Sequence, residues 1–537
     1  MEKRAFLAIA LSILVLVIYQ EWVTRQYGTP PPAPQPENRE AEKPVSPPPS
    51  APAPVTPSVP VEVPTARGAK DVTVETENYV AVFTTQGARL KSFKFKGYRS
   101  SVDEKSPPFE IVSSTPGVPH PLGIRWQSPT PFDDAGVLYA VQDSDLKLAG
   151  DSTGALIFQG QTPNGSILTK KFTFSGSTYP IQMEVAMQRS EGSVPAIEIL
   201  LTDKRDHAVP NPDAPFEGLI AVIDNKIKRE HPPEPGKGQE LTGELAWAGF
   251  GYTYFFFALV PESGAQHKVS LNPSEGALIA AIGGPPLNPG GAVRYTLFIG
   301  PKELDTLKSV GRGFERAIDF GYFGFISIPF LYVLHFCHNF TGSYGIDIIL
   351  LTILIKVLMA PLTHKSFVSM KQMQKLAPQM ERLKEKYSQD KEKLNKEIME
   401  LYRRNGVNPL GGCLPMVFQF PVFIGLYNAL STPIELRHAP FLWIKDLSRP
   451  DWQSLPFTVG DWHLGVPVLT VLMGASMFLQ QWMTPTAGDP NQRKMMLMMP
   501  LMFTFMFVSF PAGLTVYWLV NNLLSIGQQY WIIRKES

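Results

Sequence analysis

The sequence predicts a polytopic α-helical membrane protein with six transmembrane helices and a large antiparallel β-sandwich domain on the outer side of the membrane. Apolar stretches close to the ~20 residues needed to cross a bilayer occur once near the N-terminus and repeatedly after residue 301. Between them, short runs of alternating apolar and polar residues fill about 71–300, a pattern typical of strands. A charged segment interrupts the apolar half and indicates its orientation.

The composition excludes several classes of function. The 537 residues include 49 Lys and Arg and 48 Asp and Glu, which gives a net charge of +1 and argues against nucleic acid as a partner. Cys337 and Cys413 have neither metal-ligand nor disulfide spacing. We find no glycine-rich phosphate loop and no catalytic constellation. The sequence therefore predicts a protein that is not an enzyme and that has no cofactor and no metal site.

Changes in composition divide the chain into segments. The first apolar core ends in bulky residues up to Tyr19, whereas a cleavage site needs small ones, so we expect an uncleaved anchor rather than a cleaved secretory signal. The many prolines that follow favour an extended tether. The expected segments are a signal-anchor helix (1–27), a Pro-rich linker (28–70), the β-sandwich domain (71–305), connecting and interfacial amphipathic helices (306–344), the second transmembrane helix (345–364), a cytoplasmic helical hairpin (365–408), transmembrane helices three to six (409–533) and a short cytoplasmic tail (534–537).

The orientation follows from the charged segment 365–408. It carries 11 Lys and Arg against 6 Asp and Glu, so the positive-inside rule places it in the cytoplasm. If the apolar stretches 321–338 and 345–363 both crossed the membrane, this segment would lie outside. The first of them contains Pro329 and many aromatic residues, so we expect it to lie at the outer interface. Both termini are then cytoplasmic.

Lys356 lies inside the apolar run 347–362, and several explanations compete for it. It could reach towards the inner interface, but Lys365 is nine residues on, about 13 Å at the helical rise. It could pair with Asp347, which lies about two and a half turns towards the outside. It could also be tolerated at a cost of ~2.5–3.5 kcal/mol. We favour a fourth explanation, in which the ammonium faces a water-filled cavity and meets a group that arrives from elsewhere.

Other residues of the predicted helices suit the same cavity. The polar ones either line it or form hydrogen bonds between helices; they are Thr352, Gln419, Asn428, Gln480, Gln481, Asn521, Asn522 and Ser525. The fifth helix is rich in methionine, which either gives an adaptable apolar contact surface or simply faces lipid. Such a cavity suits a polypeptide with an apolar helix and a polar, often acidic, flank that must cross the membrane.

The chain resembles the YidC/Oxa/Alb family of membrane protein insertases, and within it the YidC type of Gram-negative bacteria. The resemblance covers essentially the whole chain. It rests on "LTILIKVLMAPLTHKS" around Lys356, "NPLGGCLPMVFQFPVFIGLYNAL" (408–430), "ELRHAPFLWIKDLSRPD" (435–451) and "FPAGLTVYWLVNNLLSIGQQYWI" (510–532).

The resemblance implies a five-helix insertase core in the bacterial inner membrane and a periplasmic β-domain. The core would enclose a hydrophilic groove that is open to the cytoplasm and lipid and closed to the outside. The implied function is insertion and folding of inner-membrane proteins, alone or with the Sec translocon. The ribosome is a further expected partner, which would contact the hairpin rather than the short tail.

The resemblance also assigns roles to residues. The basic residue of the groove corresponds to Lys356, and its polar neighbours correspond to Thr352 and Gln419. With the polar residues above, the expected client-binding groove comprises Lys356, Thr352, Gln419, Asn428, Asn521 and Ser525. The expected apolar client contacts are Met498, Met502, Met506 and Phe423, and Tyr517 and Trp518 would stabilise the core. Many members carry arginine where this chain has Lys356; lysine keeps the charge but, unlike arginine, can release its proton in a dry pocket.

Two other functions are compatible with parts of the pattern. A secondary transporter would also place a charge in mid-membrane, although we see no clear acidic ion site or internal repeat. A membrane-anchored envelope chaperone would act through the β-domain, so that deleting 71–300 would abolish its function but largely spare an insertase.

Overall fold

The β-rich and helical halves predicted from the sequence are both present in the computed structural model. The signal anchor and the linker up to residue 67 lie outside the described residues. The structure describes 68–535 apart from 129, 143–144, 189–195, 205–215, 235–236, 263–265, 275, 288–290, 409–413, 460–461 and 485–489.

The first half consists of strands, because its alternating sequence gives each strand one apolar face. The strands are β1 (Asp71–Glu75), β2 (Tyr79–Thr84), β3 (Arg89–Arg99), β4 (Pro108–Val112), β5 (Gly123–Trp126), β6 (Phe132–Asp133), β7 (Ala140–Val141), β8 (Leu146–Lys147), β9 (Thr153–Gln161), β10 (Ile167–Ser175), β11 (Pro180–Gln188), β12 (Ala196–Asp203), β13 (Gly218–Ile223), β14 (Lys226–Glu230), β15 (Gln239–Gly251), β16 (Phe255–Pro261), β17 (Gln266–Ser274), β18 (Ala277–Pro286) and β19 (Ala292–Pro301). A small hairpin, β20 (Gln453–Val459) and β21 (Trp462–Val466), lies later in the chain.

These strands form two facing sheets. The smaller has the order β4-β3-β2-β1-β8, and the larger runs β6-β5-β12-β18-β17-β15-β16-β19-β11-β10-β9-β7, with β13 and β14 attached to β15. Phe83 of the small sheet packs against Phe172 and Phe158 of the large one, with ring centroids 4.9 and 6.1 Å apart. The predicted β-sandwich is therefore confirmed.

A buried charged cluster lies inside the sandwich, which the alternating pattern did not predict. Lys170 on β10 is fully buried, with its Nζ 2.6 Å from a carboxylate oxygen of Asp134. It also donates hydrogen bonds to the carbonyl oxygens of Gly87 (2.7 Å) and Leu122 (2.9 Å). Arg89 makes a second ion pair with Asp134, at 2.7 Å. Burial lowers the pKa of Lys170 to about 8, an effect that Asp134 partly offsets.

The second half is helical. Its helices are α1 (Leu304–Val310), α2 (Gly324–Thr341), α3 (Tyr344–Lys386), α4 (Lys391–Arg404), α5 (Leu414–Ser431), α6 (Val468–Met483), α7 (Pro490–Phe507) and α8 (Ala512–Lys535). By length and composition α3 can cross a membrane, and Val417–Ser431, Val468–Met483 and Met495–Phe507 are shorter apolar helices. The structure thus contains an apolar helical core, and the number of crossings stays a prediction.

Helix α3 is longer than the sequence suggested. It continues without a break from the apolar run to Lys386, past Pro361 and Pro378, because a proline removes one backbone hydrogen bond without necessarily ending a helix. Helix α4 then folds back along it, and the Tyr402 hydroxyl lies 2.9 Å from the Met380 sulfur.

Helix α2 has two different faces. Leu331 and Leu334 are buried, whereas Phe325, Phe336 and Phe340 are 72%, 65% and 77% exposed. An aromatic stripe of this kind is suited to a membrane interface.

Small residues let the core helices approach closely. A Cβ atom added to Gly474 of α6 would lie 2.1 Å from the Thr504 hydroxyl oxygen of α7, so only glycine fits this contact.

The segment after α5 also packs against the helices. Its residues Leu436, Ile444 and Leu447 belong to the same apolar cluster as the helical core.

Candidate functional site

A cavity of about 320 Å³ with a mixed polar and apolar lining lies within the helical bundle, and α3, α5, α6, α7 and α8 all contribute to it. On α3 its lining extends from Ile355 to Met370, and on α5 it includes Pro415 and Gln419 at the start of the helix. Both positions lie towards the basic segment rather than towards the β-domain. The cavity therefore occupies the half of the bundle that lies nearer the basic segment.

Lys356 is held in this cavity by a contact across the bundle. Its Nζ donates a hydrogen bond of 2.5 Å to the Ser525 hydroxyl on α8. That hydroxyl in turn donates to the carbonyl oxygen of Asn521, at 2.7 Å. Within the described part of the chain, the Lys356 ammonium forms no ion pair.

Asp347, which the sequence offered as a possible partner for Lys356, pairs with another residue. Asp347 on α3 is fully buried, and its carboxylate lies 2.8 Å from Nδ1 of His338 on α2. The Thr341 hydroxyl donates a further hydrogen bond to it. Asp347 therefore joins α2 to the start of α3 and is not a counter-ion for Lys356 among the described residues.

Gln419 connects the cavity to the residues expected to stabilise the core. Its amide nitrogen donates a hydrogen bond of 2.7 Å to the hydroxyl of Tyr517, which is fully buried. The neighbouring Trp518 packs edge-on against Phe423, with ring centroids 5.4 Å apart, and also lines the cavity. The aromatic pair thus lies between the polar cavity and the apolar core.

Two of the predicted groove residues lie elsewhere. Thr352 is buried and donates to the Ile348 carbonyl oxygen of its own helix at 2.6 Å, so it does not line the cavity. Asn428 donates to the Phe320 carbonyl oxygen at 2.8 Å and lines a separate cavity towards the β-domain. The reason is distance, since nine residues of helix place Asn428 about 13 Å along α5 from Gln419. The structure brings together Lys356, Gln419, Asn521 and Ser525.

Sequence reasoning missed three hydroxyl residues of the lining: Thr363, Ser366 and Thr484. The first two follow Lys356 and Met359 at alternating spacings of three and four, and so share one face of α3. That signal was available in the sequence. Ser366 lies beyond residue 364, in the segment that the sequence assigns to the cytoplasmic hairpin, whereas Thr363 lies within the predicted second transmembrane helix.

The predicted apolar client contacts fall into two groups. Met498 and Met502 are both 64% exposed and Met506 is 44% exposed, so together they form an outward-facing surface of α7. We call these three residues the methionine face. Phe423 instead packs in the core against Trp518.

The described residues contain no cluster of side chains suited to a metal ion. The polar groups that line the cavity are one ammonium group, amides and hydroxyls. Such an arrangement can bind and partly hydrate a polar peptide segment.

Comparisons with known proteins agree with this architecture. Residues 71–333 match the family model of the YidC periplasmic domain, and residues 336–537 match that of the 60Kd inner membrane protein. The chain is 40% identical over 564 residues to the membrane protein insertase YidC of Syntrophus aciditrophicus (strain SB), with 99% of each chain covered. It is also 40% identical to that of Geobacter sp. (strain M21), with 86% of this chain and 85% of the relative covered.

A solved structure of an active YidC insertase, with its first transmembrane domain resolved, overlays at a TM-score of 0.37 and 17% identity, covering 87% of this chain and 94% of the other. The membership rests on the sequence matches, which extend through both the β-domain and the helical core. The chain belongs to the YidC family of membrane protein insertases, which are inner-membrane proteins with a periplasmic domain and are not enzymes.

Proposed function

We propose that this protein inserts inner-membrane proteins by receiving the polar flank of a client segment in the cavity around Lys356. The observation that carries the proposal is an ammonium group inside a five-helix bundle, with hydroxyl and amide neighbours and no ion pair within the described residues. A half-buried cation without an ion pair among the described residues attracts an anionic group that enters from outside.

The proposed pathway begins on the cytoplasmic side, where the cavity lining continues along α3 towards the basic hairpin. Water and the side-chain amides would solvate the polar flank while it is within the bundle. The apolar part of the client would pass along the methionine face of α7 into lipid. Transfer of apolar residues into the bilayer supplies the driving force, so no nucleotide is needed.

The proposed topology has six crossings, both termini in the cytoplasm and α2 at the periplasmic interface, with the segment boundaries set out from the sequence. The excess of basic residues in 365–408 supports the orientation. The exposed aromatic stripe of α2 supports its interfacial position.

We further propose that the protein acts alone or beside the Sec translocon, and that the hairpin of α3 and α4 contacts the ribosome. The hairpin supports this role because its basic residues are mostly exposed and its two helices contact each other through Met380 and Tyr402. A basic surface is suited to the negatively charged surface of the ribosome.

Insertion into liposomes tests the proposal. The purified protein would be reconstituted, and insertion of a short client with an acidic flank would be followed by protection from protease. Lys356→Arg should retain most of the activity, and Lys356→Ala should lower the initial rate about tenfold because the charge is lost. Lys365→Ala, an exposed lysine on the same helix outside the cavity, is the matched control. Insertion by Lys356→Ala at the wild-type rate would refute the role of the charge.

A further inference from the structure

One face of α8 carries a row of polar side chains that tie this helix to its neighbours. Asn522 donates a hydrogen bond of 3.0 Å to the Ser476 hydroxyl on α6, and Gln529 donates one of 2.8 Å to the Met483 carbonyl oxygen at the end of the same helix. Both α8 residues are buried. Because they lie seven residues apart, about two helical turns, the two contacts fix the rotation and the height of α8 against α6.

Ser525 lies between these two contacts, and spacings of three and four residues place it on the same face of α8. It is buried, and its hydroxyl donates a hydrogen bond to the Asn521 carbonyl oxygen while it accepts one from the Lys356 ammonium. Since the hydroxyl hydrogen is directed to the carbonyl oxygen, the lone pairs of the hydroxyl oxygen are left for the ammonium. The backbone of α8 therefore sets where this acceptor lies.

The contact holds the lysine without neutralising it. A lysine side chain is flexible, so an ammonium that has no fixed acceptor occupies many positions in a cavity of this size. The ammonium has three N–H donors, and the described residues show one of them, bonded to the uncharged Ser525 hydroxyl. The positive charge and the other donors thus remain for a group that enters the cavity.

We propose that Ser525 is a positioning and specificity-determining residue for insertion, which holds the Lys356 ammonium against α8 and so sets the preference of the cavity for a carboxylate on the client's flank. This role rests on the proposed function of Lys356 in receiving that flank. The acceptor has to be uncharged. A carboxylate at residue 525, close to the hydroxyl oxygen that now lies 2.5 Å from the Lys356 Nζ, would pair with the ammonium and compete with the client.

Insertion into liposomes of two clients that differ only in an acidic or an uncharged flank tests this role. The measured quantity is the ratio of the two initial rates, which a partial loss of folded protein does not affect. Ser525→Ala should lower the acidic-to-neutral ratio about fivefold because the hydrogen bond to the ammonium is lost, and Ser525→Thr, which keeps the hydroxyl, should retain the ratio. Ser525→Asp should lower the ratio about tenfold relative to Ser525→Asn, which has nearly the same shape and no charge.

Two variants separate positioning from other effects of losing a hydroxyl. Thr363→Val removes a cavity hydroxyl whose described hydrogen bond is to the Met359 carbonyl oxygen rather than to Lys356. Thr515→Val removes a buried hydroxyl of α8 outside the cavity lining. Each should change the ratio by less than about twofold.

An unchanged ratio in Ser525→Ala, or equal ratios in Ser525→Asp and Ser525→Asn, would overturn the proposal. So would an effect of Thr363→Val as large as that of Ser525→Ala, because the polarity of the cavity would then explain both. Lys356→Ala is measured in the same assay. A wild-type ratio in Lys356→Ala refutes the proposed function itself, whereas a ratio that is lost in Lys356→Ala and kept in Ser525→Ala refutes the positioning role alone.

Discussion

Reversing the charge at Lys356 should invert the preference of the protein for the charge of a client's translocated flank. With Lys356→Glu, a client with a basic flank should insert faster than one with an acidic flank, the opposite of the wild-type order. The only described side-chain hydrogen bond of the lysine is with the uncharged Ser525, so no resident ion pair would compensate the new carboxylate.

The magnitude follows from Coulomb's law in a partly hydrated site. Two unit charges ~4 Å apart interact by about 4 kcal/mol at an effective dielectric constant of ~20. Lys356 is only half-buried, and water in the cavity reduces this value. We therefore expect a coupling of about 1.5 kcal/mol, which corresponds to roughly a tenfold change in relative insertion rate.

The assay compares initial insertion rates of two clients that differ only in the sign of the flank charge. Lys356→Gln separates loss of charge from its reversal, and Lys365→Glu changes an exposed charge of the same helix. Because the measured quantity is a ratio, a uniform loss of active protein does not affect it. An unchanged ratio in Lys356→Glu would refute the proposed electrostatic contact between cavity and client.

Three further predictions concern stability of the full chain in micelles. Tyr517→Phe removes the hydroxyl that accepts the Gln419 hydrogen bond, and should lower the free energy of unfolding by about 1 kcal/mol. Asp134→Asn leaves two buried cations of the β-sandwich without their shared carboxylate, and should cost about 3–5 kcal/mol in urea unfolding. Hydrogen bonding to Glu435 raises the pKa of His335, so this pair stabilises the fold below the unfolded pKa of about 6.5 and its contribution is lost as pH rises through the higher folded value. His335→Gln should therefore remove a decrease in melting temperature that the wild type shows between about pH 6 and pH 8.

Exposed residues of the same type provide the controls. Tyr530→Phe and Asp151→Asn remove a hydroxyl and a charge from exposed positions, and each should change stability by less than about 0.5 kcal/mol. Equal effects of Tyr517→Phe and Tyr530→Phe would contradict a role for the buried hydrogen bond. A pH profile that His335→Gln leaves unchanged would show that other groups determine it.

The β-sandwich and the apolar helices were predictable because their signals are local. Period-two alternation in strands such as β10 and β11 and apolar stretches such as that in α3 depend on a few neighbouring residues. The sequence placed a boundary at residue 364 between a transmembrane helix and a helical hairpin, whereas α3 passes through this position as one helix. Local patterns do not decide this point, since exposed charged residues are compatible with both a helix and a turn.

The sequence by itself determined the family, and it predicts the order of the domains, the orientation and a role for Lys356. Only the tertiary structure decided which side chains meet that lysine. Its partner Ser525 is 169 residues away along the chain. The hydroxyl of Thr352, one turn away, instead donates a hydrogen bond to the Ile348 carbonyl oxygen of its own helix. The buried cluster of Lys170, Asp134 and Arg89 likewise joins separate strands and turns. A periodic pattern specifies which face of an element is apolar, but contacts between distant elements depend on how those faces pack together.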